Sequence, residues 1–215
     1  MRRSVLLLAL LLHACDKPAA PPSAVQPPAP SALPQGKLRL DRSGTNAWDY
    51  VKNADPGFPS LAVRMTYGGP KTYLKFQLET WHRGKPIAHE RNHQSFQLPL
   101  ADDLAFGFSD GKNKEGKDVV QVHESFPVKS KVAGDGNSSR TGSALEFGIP
   151  LLKMRSKRTI EPAWPLEIAD GTEALLWAVF VDEPADLPAD ATPEERAKRA
   201  DAAFLFRIRT ADVKK

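Results

Sequence analysis

The chain has 215 residues, with 30 Lys and Arg against 26 Asp and Glu, a formal net charge of +4 and a single cysteine. So small a surplus excludes the dense basic field on which nucleic-acid binding depends. One cysteine excludes an intrachain disulfide and a thiolate metal centre, so the folded part must hold together through its core alone.

The N-terminus opens with Met1-Arg2-Arg3, continues through a leucine-rich run from Val5 to Leu12, and reaches Ala14 and Cys15. A basic start, a short apolar stretch and a small residue before the cut form the layout of an export signal. The run is far short of the ~20 residues that a bilayer-spanning helix needs. Residues 1–14 are therefore expected to be removed. Loss of Arg2 and Arg3 leaves 28 basic residues against 26 acidic ones, close to neutrality. The segment Leu12-His13-Ala14-Cys15 resembles the lipobox of bacterial lipoproteins, although His13 departs from the small or hydroxyl residue usual at its position. The resemblance implies acylation of Cys15, which becomes the new N-terminus, and attachment of the exported chain to a bacterial membrane, with its domain in the periplasm or at the cell surface. A single acyl chain binds a membrane only marginally, whereas two hold firmly. Residues 15–36 follow as a linker, in which Pro18, Pro21, Pro22, Pro27, Pro28, Pro30 and Pro34 favour polyproline II. At ~3.1 Å per residue it reaches roughly 60 Å when extended.

Residues 37–215 have globular composition and read as one all-β domain. Leu61–Tyr67 ends at Gly68-Gly69-Pro70. Thr72–Trp81 alternates Leu74, Phe76 and Leu78 with Lys75, Gln77 and Glu79, the pattern of a half-buried strand, and Arg83-Gly84-Lys85-Pro86 turns it. Gln94–Leu98, Leu104–Phe108, Asp118–Phe126, Val128–Val132, Ala144–Ile149, Ala174–Val181 and Ala203–Arg209 are further strands. Asp110–Gly116 and Gly134–Gly142 read as polar loops, and Asn46–Phe58 as a loop with an exposed surface. Thr192-Pro193-Glu194-Glu195 carries a cap, a proline at the first helical position and a Glu three after the cap. It starts one short charged helix, running to about Ala202. The expected architecture is a β-sandwich, jelly-roll or immunoglobulin-like.

His89-Glu90-Arg91-Asn92-His93 fits H-E-x-x-H and resembles the motif of zinc metallopeptidases. There a helix brings the two His to one Zn²⁺ and the Glu serves as general base. The resemblance covers five residues, and His89–Ser95 has no apolar residue with which to pack such a helix. On a strand the two His stand ~13 Å apart and cannot share a metal. Glu115, His123 and Glu124 are the candidates for a third ligand. His82 and His89 flank the turn at Gly84-Lys85 and become diagonal neighbours if it is a two-residue hairpin. Asp110–Gly116 has lysines where a calcium loop needs oxygen ligands. Lys153–Arg158 forms a basic cluster suited to an anionic partner or to solvent. Trp48, Tyr50, Trp81 and Trp164 are candidates for a glycan platform or for core positions.

The sequence thus points to a non-enzymatic envelope module with no cofactor, which attaches to the membrane through lipid on Cys15 and presents a β-sandwich to a protein or glycan partner. Two rivals remain: a zinc-dependent hydrolase using His89, Glu90 and His93, and a structural subunit of an envelope or secretion assembly. Mass spectrometry of the mature protein is expected to find an acylated Cys15 at its N-terminus. An unmodified Cys15, or cleavage at another bond, would remove the anchor from this reading.

Overall fold

The computed structural model describes residues 35–211, except residues 52, 70–72, 88–92, 98–102, 129–138, 150–151 and 153–154. The export signal, Cys15 and the linker up to residue 34 lie outside the described residues. Among the described residues twelve strands form two antiparallel sheets. The first runs from edge to edge through β10 (Leu166–Ala169), β1 (Lys37–Arg42), β2 (Ser60–Gly68), β6 (Leu104–Lys112), β7 (Asp118–Val128) and β8 (Ser139–Phe147). The second runs through β4 (Lys85–Ile87), β3 (Tyr73–His82), β12 (Ala202–Ala211), β11 (Glu173–Val181) and β9 (Lys157–Ile160), with β5 (His93–Gln97) also paired to β3. With α1 (Pro193–Arg199), this is the all-β sandwich with one short helix near the C-terminus that the residue pattern predicts.

Alternation builds the interior. Leu74, Phe76, Leu78 and Thr80 of β3 are buried in turn, while the residues between them remain partly exposed. They meet Phe106 and Phe108 of β6, Val120, Val122 and Phe126 of β7, and Phe204 and Phe206 of β12. The rings interlock: Phe76 stacks on Phe106 with centroids 4.9 Å apart, Phe108 meets Phe204 edge-on at 5.0 Å, and Trp177 lies 5.0 Å from Phe206. Such pairs add about 0.5–1.5 kcal/mol each beyond the area they bury.

Several elements differ from the sequence expectation. β6 continues through Asp110 to Lys112, so the polar turn is shorter than Asp110–Gly116. Asn113 closes it, its side-chain oxygen accepting from the backbone N–H of Glu115 and Lys117. β7 continues through Pro127 to Val128; the rest of the strand expected over Val128–Val132 lies outside the described residues. β8 begins at Ser139, inside the span expected to be a loop. β1, β4, β9 and β10 are additional strands, β4 starting at Lys85 within the expected turn. The nearly all-apolar β11 lies between β12 and β9. It is apolar because both its faces are covered, the inner one by the first sheet and the outer one by α1.

α1 starts as its sequence signals. The Thr192 hydroxyl accepts from Glu195 N–H, and the Glu195 carboxylate accepts from Thr192 N–H. The helix sits on Ala178, Phe180, Ala203 and Leu205 through its own Ala197 and the following Ala200. The β3–β4 turn is pressed against its end: a Cβ on Gly84, whose φ is +73°, would stand 2.6 Å from Lys198 O. Arg196 is 1% exposed. It donates to Glu183 Oε1 at 2.7 Å and to the carbonyls of Pro188, Ala189 and Ala191, so one buried cation ties the β11–β12 connection to the helix. Arg196→Met keeps the bulk but leaves these acceptors without their donor. It is expected to cost about 3 kcal/mol in urea unfolding, whereas Arg199→Met, which breaks only the exposed pair with Asp186, is expected to leave the urea midpoint nearly unchanged.

Candidate functional site

The outer face of the first sheet carries a seat of small residues, Ala62 on β2 with Ala105 and Gly107 on β6. Residues 46–58 settle on it. Asn46 caps a short 3-10 turn over Ala47–Asp49, its side chain accepting from Trp48 N–H. Ala47, Val51 and Ala54 are buried against Ala62 and Ala105, with Trp48 and Tyr50 packed at the margin. Asp55 N–H donates to Phe108 O at 2.8 Å, and Phe58 enters the main core. Gly107 is required by this approach, because a Cβ there would stand 2.8 Å from the Ala54 methyl and 3.5 Å from the Trp48 ring. The segment expected to be an exposed loop is therefore a fitted cover, with Trp48 and Tyr50 half-buried.

Beside the cover, alternate residues of β6, β7 and β8 form a polar row. His123 is the register partner of Gly107, and Ser109 that of Gln121, while Gln121 lies opposite Glu146. Ser109 Oγ is 2.7 Å from His123 Nε2 and 3.3 Å from Gln121 Oε1, and Gln121 Nε2 donates to Glu146 Oε1 at 3.1 Å. Only one direction satisfies all three contacts. His123 Nε2–H donates to Ser109, the Ser109 hydroxyl donates to Gln121, and the Gln121 amide donates to Glu146. The relay runs from the buried His123 to the exposed Glu146.

That direction decides the chemistry. A catalytic serine must give its proton to the imidazole; here the imidazole gives its own to the serine.

The other candidates are dispersed or already engaged. His89 and Glu90 lie outside the described residues. His93 opens β5 opposite Gln77, on the sheet remote from His123. His123 and Glu124 point to opposite faces of β7, and Glu115 is exposed in the β6–β7 turn. Among the described residues no group of three His, Cys, Asp or Glu is arranged to hold a metal ion. Arg83-Gly84 forms the two-residue turn after β3, with both φ values positive, and His82 pairs with Lys85 across it. The described members of the basic cluster are engaged internally, Lys153 lying outside the described residues: Arg155 bridges Asp182 and Asp201, Arg158 meets Glu183, and Lys157 donates to the carbonyls of Leu152 and Arg155. Trp81 packs beneath α1, and Trp164 against the main core with its Nε1 donating to Glu161. An open groove of about 390 Å³ follows Leu187–Ala191 and α1, but its polar lining is engaged, Arg199 by Asp186 and Glu195 by Thr192.

Sequence reasoning named Trp48, Tyr50 and His123 but not Ser109, Gln121 or Glu146. Their convergence depends on cross-strand register, which a linear pattern does not carry. No protein-family model, no curated protein and no solved structure matches the chain.

Desolvation holds the His123 imidazole below its usual pKa. The unfolded chain therefore takes up a proton that the folded one refuses, and stability falls as pH drops below about 6.5, levelling off once the folded imidazole also titrates. Urea unfolding across this range is expected to show the loss, and His123→Gln, which keeps a donor to Ser109, is expected to flatten it.

Proposed function

We propose that this is a lipid-anchored cell-envelope protein whose β-sandwich serves as a non-enzymatic binding module, and that the surface formed by residues 46–58 and the neighbouring polar row binds an envelope glycan. The lipobox-like segment at Leu12–Cys15 and the proline-rich linker support the anchoring. One observation carries the binding reading: Trp48 and Tyr50 are held partly exposed at the margin of the cover, with the Trp48 ring over Gly107, the register partner of His123. Trp and Tyr offer an apolar face with a polar handle, and side chains locked by packing lose little freedom when a ligand arrives. The direction of the Ser109 relay supports a binding role over a hydrolytic one.

The test is a pull-down of isolated envelope polysaccharide by the detergent-solubilised full-length chain. Trp48→Ala is expected to weaken retention about tenfold or more, on the order of the 1.4 kcal/mol that one well-packed ring contributes, with the thermal midpoint shifted by a few degrees at most. Equal retention by Trp48→Ala and Tyr50→Ala would reject this surface. A stable protein co-purifying through it, with no glycan bound, would replace the glycan by a protein partner.

A further inference from the structure

The outer face of the second sheet sorts its charges along the strands. Lys75, Gln77 and Glu79 of β3 point outward, between the core residues Leu74, Phe76 and Leu78. Arg207 and Arg209 of β12 do the same on either side of Ile208, which is in the core. Register sets Gln77 opposite Arg207 and Lys75 opposite Arg209, and Glu173 of β11 stands opposite Arg209 on its other side. The acids of this face gather on Arg207. Its Nε donates to Glu79 Oε1 at 2.9 Å, its Nη2 donates to Glu194 of α1, and its Nη1 lies 3.6 Å from Glu173 Oε1. Glu173 thus pairs with Arg207 rather than with its own register partner.

Lys75 and Arg209 are left facing each other. All three carboxylates contact Arg207, and among the described residues none pairs with Lys75 or Arg209. Residues directly opposed on one face of a sheet have Cβ atoms about 5 Å apart, and like charges so placed are destabilising. An anion between them would turn one repulsion into two attractions. The two side chains also share a space. With Gln77, Glu173, Arg207 and Ile208 they line a single shallow depression. It encloses about 10 Å³, so it seats a charged group without burying the molecule that carries it.

We propose that Lys75 and Arg209 form a binding site for a phosphate group, to which the Gln77 amide adds a further donor. Charge selects phosphate over carboxylate. A phosphate monoester carries about −1.5 to −2 at neutral pH, which matches two cations, whereas a carboxylate matches one. Chemistry agrees: the guanidinium offers a planar fork of donors, the ammonium three donors on a flexible stem, and the amide two. Three phosphate oxygens can meet all of them together. Glu173 is the one acid in the lining, and Arg207 is within ion-pair distance of it. Glu79 lies four residues from Lys75 along β3, about 13 Å away, where solvent screens it.

The experiment titrates the detergent-solubilised full-length chain with inorganic phosphate near neutral pH, chloride holding the ionic strength constant, and follows the backbone amides of Lys75, Gln77 and Arg209 by NMR. A saturable shift confined to this face is expected, with acetate binding more weakly. Arg209→Gln and Lys75→Gln are each expected to lower the affinity about fivefold or more, the worth of one charge-assisted contact, while Lys85→Gln, on the same sheet and exposed, leaves it unchanged. Phosphate is expected to raise the thermal midpoint of the parent by mass action. Lys75→Glu sets opposite charges across the pair, so without phosphate its midpoint is expected to rise, and phosphate no longer moves it. No saturable shift with phosphate, equal binding of acetate, or unchanged affinity in Lys75→Gln and Arg209→Gln would overturn the proposal. This outcome is independent of glycan retention, which reads the opposite sheet.

Discussion

The structure depends on one contact layer, the interlocked aromatic rings between the two sheets. Beyond Cys15 the chain has no cysteine, so no crosslink shares the task. Phe206 of the second sheet is in ring contact with Phe76 and Trp177 of its own sheet and with Phe106 and Phe108 of the other. Because these residues lie at alternate positions on long strands, a shift of any strand by one residue would turn its rings to the outside. Core packing therefore fixes register, and register in turn fixes which polar residues meet on the outer faces. The Ser109–His123 contact follows from Phe106 and Phe108 being seated inside.

Each sheet is also covered in part on its outer side, and both covers use the same device. Small residues form the floor: Ala178 and Ala203 under α1, Ala62, Ala105 and Gly107 under residues 46–58. With no side-chain bulk between them, the covering backbone approaches closely and its own apolar residues are sealed. Polar anchors then fix each cover in place. Arg196 holds the β11–β12 connection with four hydrogen bonds, and Asp55 N–H binds the backbone of β6 beside the core. The covers leave Trp48 and Tyr50 at a margin, where an aromatic residue is positioned without being consumed by the core.

What could be read from the sequence follows from this division. The strands with one buried and one solvated face, such as β3, announce themselves by alternation, and the capping box of α1 is a local chemical signal that needs no tertiary knowledge. The short edge strands β9 and β10 have four residues each, too few to establish a period, and they exist because a neighbour supplies the ladder. Asn46–Phe58 reads as a loop because its apolar residues follow neither period; they match the shape of a seat that only the folded sheet provides. The basic run at Lys153–Arg158 suggests an external partner in one dimension, but Asp182, Asp201 and Glu183, which neutralise its described members, are distant in sequence. The pairing of Ser109 with His123 is likewise a consequence of register, although each residue is visible by itself.

The polar groups of this fold divide by how completely they are satisfied, and that division locates function better than residue type does. Arg196 is deeply buried and fully paired, and its role is to hold structure. The relay from His123 to Glu146 is consistent in every donor and acceptor, ends at the surface, and provides a preset polar edge without a reactive proton. A sandwich with packed faces is suited to recognition through preformed surfaces, because ordering costs that a flexible site would incur on binding have already been met in folding. On the proposed anchoring, a proline-rich tether of roughly 60 Å would let such a surface search the space near a membrane, so that modest intrinsic affinity is raised by local concentration. Rigidity in the domain and freedom in the linker are then complementary parts of one design.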